Sequence, residues 1–166
     1  MQVFVSTLDD NISMKENEHI LNLSIFAERL SDLLFEANLN PPKFSKLLKC
    51  GRATINRYVS GSKMPSVDML VKIADYFQCS TDYLVGLEDE DYQQNFIKCP
   101  KFKDRLPILL KHCHITRYKL QQLSGISEST LYYWSKGKTK PTIDKLIKIA
   151  DVLNCTLDFV IGRTDL

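Results

Sequence analysis

The sequence predicts an all-α protein made of two tandem five-helix domains. The 166-residue chain matches itself without a gap when it is shifted by 76 positions, and 19 of the 61 residues from Phe26 to Gly86 are identical to their counterparts. Apolar residues, helix caps and turn residues keep the same register in both copies. A period of this length indicates a duplicated domain rather than a solenoid repeat. Each copy of about 60 residues can just bury a core of its own.

The helices of the first domain are predicted from apolar periodicity and from the residues that start and stop helices. Phe26, Leu30 and Leu34 lie on one stripe of the first helix. Gly61 is a C-terminal stop for the third helix, and Ser66 is an N-cap for the fourth. The predicted helices are 24–37, 43–49, 52–59, 67–77 and a short fifth helix that is capped by Ser80 or Thr81 and ends near Gly86.

The second domain has the same pattern, with one difference in its first helix. Pro107 lies inside the predicted helix, where it removes a hydrogen bond and clashes with the preceding turn. We therefore expect this helix either to start late, near Arg105, or to be kinked.

The repeat divides the chain into four segments. They are an N-terminal arm at 1–24, a first domain at 25–86, an acidic linker at 87–101 and a second domain at 102–166. Val3 and Val5 alternate with polar residues in the arm, a pattern consistent with a short strand and equally with disorder. Phe96 and Ile97 indicate that part of the linker packs against a domain.

Composition and charge narrow the class of protein. An apolar content of 44% and a charged content of 25% are typical of a globular chain, and no apolar run is long enough for a membrane span. The N-terminus does not resemble a signal peptide, and the five cysteines contain no CxxC pair, so we expect a reduced, cytoplasmic protein. The net charge is +2, but residues 25–86 carry 8 basic and 6 acidic side chains, and residues 102–166 carry 11 and 6. Two basic domains beside acidic flanks favour a polyanion as partner.

The sequence does not predict catalysis. No nucleophile–base grouping, glycine-rich phosphate loop or pair of carboxylates stands out, so we expect neither an enzyme nor a cofactor. His112, Cys113 and His114, with Cys99, are candidate metal ligands by residue type only. Adjacent and alternate residues point in different directions on a helix, and we therefore expect no metal site.

The most specific motif is the last part of each domain. It reads GSKMPSVDMLVKIADYFQCSTDYLVG from Gly61 to Gly86, and GKTKPTIDKLIKIADVL from Gly137 to Leu153. With Thr54, Ile55 and Tyr58 before the first copy, and Thr130, Leu131 and Trp134 before the second, these units resemble the XRE family of helix-turn-helix domains, the class of the Cro and lambda-type repressors. The resemblance implies a transcriptional regulator, most often a repressor, that places the third helix of each domain in the major groove of double-stranded DNA.

In the first domain, the resemblance implies that Ile55 and Tyr58 of the third helix turn to the core. The residues that it places towards the groove are Gly51, Arg52, Ala53, Asn56 and Arg57. Arginine pairs with guanine and asparagine pairs with adenine, so Arg52, Asn56 and Arg57 are the predicted base readers. The predicted phosphate contacts of this domain are Lys43, Lys46, Thr54 and Lys63.

In the second domain, the equivalent surface is less typical of DNA binding. The predicted contacts there are Arg117, Ser127, Glu128, Ser129, Thr130, Tyr132, Tyr133, Lys136, Lys138 and Lys140. Glu128 would repel phosphate or accept a hydrogen bond from cytosine, and the two tyrosines would touch bases or pack on protein. Arg117 stands where family members carry a phosphate-binding Gln, whereas Pro41 stands there in the first domain and cannot donate.

Two alternatives remain open at this point. One or both third helices could serve protein interaction or assembly rather than DNA binding. Since the two third helices differ, a single chain should prefer two unlike half-sites, whereas a homodimer, formed for example through the Val3–Val5 arm, would prefer a palindrome.

Overall fold

The computed structural model of the chain describes residues 23–91 and 95–164. These residues form ten helices and no strand, which confirms the predicted all-α class. The expectations for the N-terminal arm, including Val3 and Val5, lie outside the described residues. The helices of the first repeat are α1 (23–36), α2 (Pro41–Leu47), α3 (Arg52–Val59), α4 (Val67–Phe77) and α5 (Thr81–Val85).

The second repeat reproduces this set of five helices. Its helices are α6 (Phe102–His112), α7 (Arg117–Ser124), α8 (Glu128–Ser135), α9 (Ile143–Leu153) and α10 (Leu157–Ile161). The last three begin and end 76 residues after α3, α4 and α5. The left-handed residues of the described chain fall into five equivalent pairs: Asn38 and His114, Lys49 and Gly125, Gly61 and Gly137, Gln78 and Asn154, and Gly86 and Gly162. The two copies therefore share most helix boundaries as well as sequence.

The late start predicted for the first helix of the second repeat is wrong. Helix α6 begins at Phe102 and continues through Pro107, which cannot donate to the carbonyl of Lys103. Tertiary packing favours the longer helix, because the ring of Phe102 meets that of Trp134 edge to face at 5.7 Å between centroids. Leu106 is buried one turn further on.

Contacts divide the described residues into two compact units. The first consists of the residues up to Pro65 together with Tyr83–Glu90, and the second of Ser66–Asp82 together with the residues from Asp91 onward. Helix α4 is thus assigned to the second unit although it belongs to the first repeat. The predicted domain boundaries at 25–86 and 102–166 remain a prediction.

The first unit has its own aromatic and aliphatic core. Helix α2 packs against α3, and the rings of Phe26 and Tyr58 meet edge to face at 6.1 Å between centroids. The fully buried side chains of this core include Phe26, Leu30, Phe44, Ile55 and Leu84. Burial raises the pKa of the Tyr58 hydroxyl, which keeps it neutral in the core.

The second unit is organised around α8 and α9. Helix α8 contacts α6 and α7, while α9 contacts α7 and α10, and α10 returns to α6. The buried side chains of its core include Leu109, Leu120, Leu131, Leu146, Ile149 and Val160.

One arginine at the same position of each repeat binds the end of the short fifth helix. The guanidinium of Arg29 lies 4.4 Å from the centroid of the Tyr83 ring and donates to the backbone carbonyls of Tyr83 and Glu88. Arg105 lies over the Phe159 ring at 5.0 Å and donates to the carbonyl of Phe159. The carbonyls of Tyr83 and Phe159 each also accept from the backbone N–H three residues further on, so each arginine adds a second, charged donor at the end of the helix.

Two equivalent aspartates cap helix starts in a reciprocal way within the second unit. The carboxylate of Asp82 accepts from the backbone N–H groups of Leu157 and Asp158, at 2.6 and 3.0 Å. The carboxylate of Asp158 accepts from the backbone N–H and the hydroxyl of Thr81, both at 2.8 Å. Thr81 and Leu157 occupy equivalent positions of the repeat. Asp82 of α5 therefore caps α10, and Asp158 of α10 caps α5. Such an exchange of equivalent contacts is the arrangement found in a two-fold interface.

Arg163 completes this buried cluster. Its guanidinium is fully buried and donates to Asp158 at 2.6 Å, to Asp75 at 2.9 Å and to the carbonyl of Cys79 at 3.3 Å. The ring of Phe96 lies 4.1 Å from the guanidinium, and the carbonyl of Arg163 accepts from the N–H of Ile97 at 2.7 Å. The prediction that this part of the linker packs on the protein is confirmed.

Candidate nucleic-acid interface

Helices α2 and α3 form a helix-turn-helix unit in the first repeat. The chain turns after α2 through Lys49, whose left-handed backbone (φ 53°) reverses its direction, and the N–H of Cys50 bonds to the carbonyl of Ser45 at 2.9 Å. Helix α3 then begins after Gly51. In the second repeat the left-handed position is Gly125, which adopts this conformation without steric cost.

The outward face of α3 carries cationic and amide side chains. Ile55 and Tyr58 are buried as predicted, whereas Arg52, Asn56 and Arg57 are exposed. Within the described ranges 23–91 and 95–164, these three side chains make no hydrogen bond or ion pair. They are therefore available to an external ligand with acceptor groups.

The start of α3 offers backbone donors beside these side chains. The N-cap is Gly51, which has no side chain to occupy the first N–H groups of the helix. Such groups bind anions, because they are unpaired and lie at the positive end of the helix dipole. Of the other predicted contacts of the first repeat, Lys43, Ala53 and Lys63 are exposed and Thr54 is half-buried.

Helix α8 presents a different surface in the second repeat. Leu131 and Trp134 are buried, and the exposed rings of Tyr132 and Tyr133 lie 5.9 Å apart. The start of the helix is closed by a side chain, since the hydroxyl of Ser127 accepts from the N–H of Thr130 at 3.3 Å. Among the remaining predicted contacts, Ser129 is exposed.

Several charges of the second repeat already have partners inside the protein. Arg117 and Glu128 form an ion pair with 3.7 Å between Nη2 and Oε1, so a predicted phosphate contact and a predicted base contact bind each other. Lys140 is paired with Asp68. Lys136 and Lys138 lie near aromatic rings, with 5.8 and 5.5 Å from their ammonium nitrogens to the ring centroids of Tyr132 and Tyr133.

The sequence did not reveal the pairing of Arg117 with Glu128. The spacing rules for charge pairs apply within one helix, and these two residues open different helices. One feature of the sequence could have indicated this pair. Arg117 and Glu128 have opposite charges and occupy the first positions of α7 and α8, two helices that were expected to pack together.

The comparison with protein families decides the identity of this fold. A helix-turn-helix family model matches the chain twice, at residues 36–84 and 108–160. The chain belongs to the XRE-type helix-turn-helix family. Both matches include the helix pair that forms the candidate interface, α2–α3 in one and α7–α8 in the other. Family membership makes the chain a DNA-binding regulatory protein.

The other comparisons add no relative. A search of curated proteins and a search of solved structures gave no significant match. No helix of the described residues has both the length and the apolar content to cross a bilayer. In the same part of the chain, no group of three His, Cys, Asp or Glu side chains is arranged to hold a metal ion.

Proposed function

We propose that this XRE-type protein is a cytoplasmic transcriptional repressor that binds double-stranded DNA with sequence specificity, and that α3 supplies most of the base readout. The observation that carries the proposal is the α3 face. Arg52, Asn56 and Arg57 are exposed and close along one helix, and they have no partner among residues 23–91 and 95–164. Their side chains match the hydrogen-bonding edges of guanine and adenine in the major groove.

Phosphate binding would fix the orientation of α3 in the groove. The uncapped start of the helix supplies backbone donors, and the exposed Lys43, Lys46 and Lys63 supply positive charge around it. Such contacts carry no sequence information themselves, but they set the register in which the base readers act.

The second repeat would contribute less specificity and more general affinity. Lys136, Lys138 and Lys140 lie in or beside the loop after α8, where they would bind phosphate. The paired Arg117 and Glu128 reduce the charge available at the groove. The exposed Tyr132 and Tyr133 also favour a second candidate function for this repeat, a protein-interaction surface, because aromatic residues are enriched at such surfaces.

We further propose that one chain binds two unlike half-sites. The reciprocal caps of Asp82 and Asp158 support this, since one chain makes within itself the self-complementary contact that two-fold dimers make between subunits. Tethering two recognition helices makes the second contact intramolecular and raises the overall affinity. Because α3 and α8 differ in sequence, the preferred site would be asymmetric.

Two proposals are tested together, namely specific DNA binding and the binding of two unlike half-sites by one chain. The experiment selects bound sequences from random DNA and then measures the footprint and the mass of the complex. A monomer that protects two unlike half-sites is the expected result. A dimer on a strict palindrome would contradict the single-chain arrangement. Failure to enrich any sequence, at low as well as moderate salt, would contradict specific DNA binding.

A further inference from the structure

A cavity of about 450 Å³ lies in the second contact unit, beside the loop that follows α8. Its size falls within the range of sites that hold small organic molecules. Apolar side chains form most of its wall, and they come from α4, α6, α8, the end of α10 and the loop before α9. They include Val67, Val71, Phe102, Trp134, Pro141 and Ile161.

Positive charge surrounds this apolar wall. Four lysines line the cavity, namely Lys101, Lys103, Lys136 and Lys140, and all four are exposed. Among the residues that the structure describes, Asp68 is the one acidic side chain of the lining, and it is already paired with Lys140. The cavity therefore combines an apolar interior with a surplus of cations.

The remaining polar groups do not offset this charge. Cys99 donates from its thiol to the carbonyl of Ile161 at 3.1 Å, and burial raises the pKa of this thiol to about 11, so it is neutral near pH 7. Lys103 packs its stem on the loop, since a Cβ built on Gly137 would lie 2.9 Å from its Cδ. A lysine with its stem on apolar surface keeps its ammonium group in water.

We propose that this cavity binds an amphipathic organic carboxylate, and that the bound molecule weakens DNA binding. An apolar body of about ten carbons suits a cavity of this size. It would lie against the ring of Trp134, while the carboxylate would meet the lysines of the lining. The effect on DNA rests on the proposed function, because Lys136 and Lys140 are also the predicted phosphate contacts.

Ligand binding is measured by the fluorescence of Trp134, which is the protein's single tryptophan and lines the cavity. The full-length chain is titrated, below their micelle concentrations, with decanoate, decanol and decyltrimethylammonium. Decanoate should change the fluorescence of Trp134 in a saturable way, and it should do so at a lower concentration than decanol or decyltrimethylammonium. Equal affinity for decanol would overturn the assignment of an anion site, and the absence of any saturable change would overturn the site itself.

A matched pair of variants tests the lysines. The double variant K101Q/K103Q removes two cations of the lining, and K111Q/K148Q removes two exposed lysines that do not line the cavity. The first should bind decanoate about fivefold more weakly or worse, with decanol affinity unchanged, since exposed ion pairs contribute modestly. The second should match the original protein. Equal decanoate affinity in both variants would contradict the proposal.

The regulatory part is tested on the DNA sequence obtained by selection. Saturating decanoate should weaken DNA binding, and saturating DNA should weaken decanoate binding by the same factor, because coupling between two sites is reciprocal. Unchanged DNA affinity would overturn the regulatory part alone. If the ligand-free protein bound no DNA, the proposed function would fail, while the fluorescence titration would still decide whether the cavity binds the carboxylate.

Discussion

Helices α3 and α8 have the same length and the same position in their repeats, but they present opposite kinds of surface. The α3 face carries Arg52, Asn56 and Arg57 without internal partners, in the described part of the chain. The α8 face carries two tyrosines and a glutamate that binds Arg117. Duplication has therefore preserved the framework of the repeat and changed the exposed face of its third helix.

Sequence identity between the two repeats is higher in the fourth helix than in the third helix, which forms the candidate interface. Thr54 and Thr130 are the one identical pair in α3 and α8, whereas α4 and α9 share six identities. The second repeat carries more basic residues than the first. Two of its predicted DNA contacts, Arg117 and Lys140, are nevertheless paired with acidic side chains. The net charge of a domain is thus a poor measure of the charge that its recognition helix offers.

The largest expected difference between the repeats concerns the two reciprocal aspartates. Replacing Asp158 with Ala should cost about 3–5 kcal/mol of unfolding free energy, because it leaves the buried guanidinium of Arg163 without this carboxylate. Replacing Asp82 with Ala should cost about 0.5–2 kcal/mol, the range for loss of a helix cap. At the position equivalent to Arg163, the first repeat has the exposed Leu87.

Urea unfolding followed by circular dichroism measures both costs. The double variant D158A/R163M serves as the control, and it should recover part of the loss because the buried guanidinium that lost this carboxylate is gone. Equal costs for the two single variants would mean that Arg163 is not what distinguishes the two caps.

The second prediction concerns specificity. Changing Asn56 or Arg57 to Ala should each cost about 1–3 kcal/mol of binding free energy on the preferred site and relax discrimination there. The matched changes in α8, Tyr132→Ala and Tyr133→Ala, should leave the sequence preference largely intact. Binding to the selected site and to single-base variants of it measures the effect. A larger loss of discrimination from the tyrosine changes would reverse the roles assigned to α3 and α8.

Local signals were enough to predict most of the fold. The bounds of α3 and α4 agree with the prediction to the residue, because the apolar spacing lies within each helix and the cap residues lie directly beside it. The start of α6 was missed, since the packing of Phe102 on Trp134 depends on residues far apart in the chain. The partners of Arg117 and Asp158 were missed for the same reason.

The buried face of α3 was predicted from the family resemblance, which turns Ile55 and Tyr58 to the core, and Leu131 and Trp134 are buried at the equivalent positions of α8. What the resemblance could not show was which exposed charges are already paired. That depends on how neighbouring helices pack, and it decides which side chains are left for DNA.

The third prediction compares the equivalent cysteines Cys79 and Cys155. Burial raises the pKa of Cys79 to about 12 and that of Cys155 to about 11, and Cys79 is the more deeply buried of the two. One pKa unit is tenfold in the thiolate fraction at a given pH. In a background with the other three cysteines changed to Ser, Cys155 should react with dithiobisnitrobenzoate roughly tenfold faster or more. Equal rates would indicate that the two positions are equally accessible.

The smallest expected effect is a gain of affinity from a single substitution in α8. Changing Glu128 to Gln removes the partner of Arg117 and a negative charge at the helix start that would repel phosphate. Because Glu128 is exposed and Arg117 is partly exposed, the gain in DNA affinity should be no more than about fivefold. The freed Arg117 should also steepen the salt dependence of binding by about one unit.

The control for this substitution is Asp151→Asn, which makes the same charge change at an exposed position of α9 outside the candidate interface. If both variants gained equally, the effect would come from net charge and not from Arg117. A loss of affinity confined to sites with one particular base would instead make Glu128 a base reader, in keeping with an acceptor for cytosine. No change in either affinity or salt slope would mean that Arg117 does not meet DNA even when free, and would favour the protein-interaction function for the second repeat.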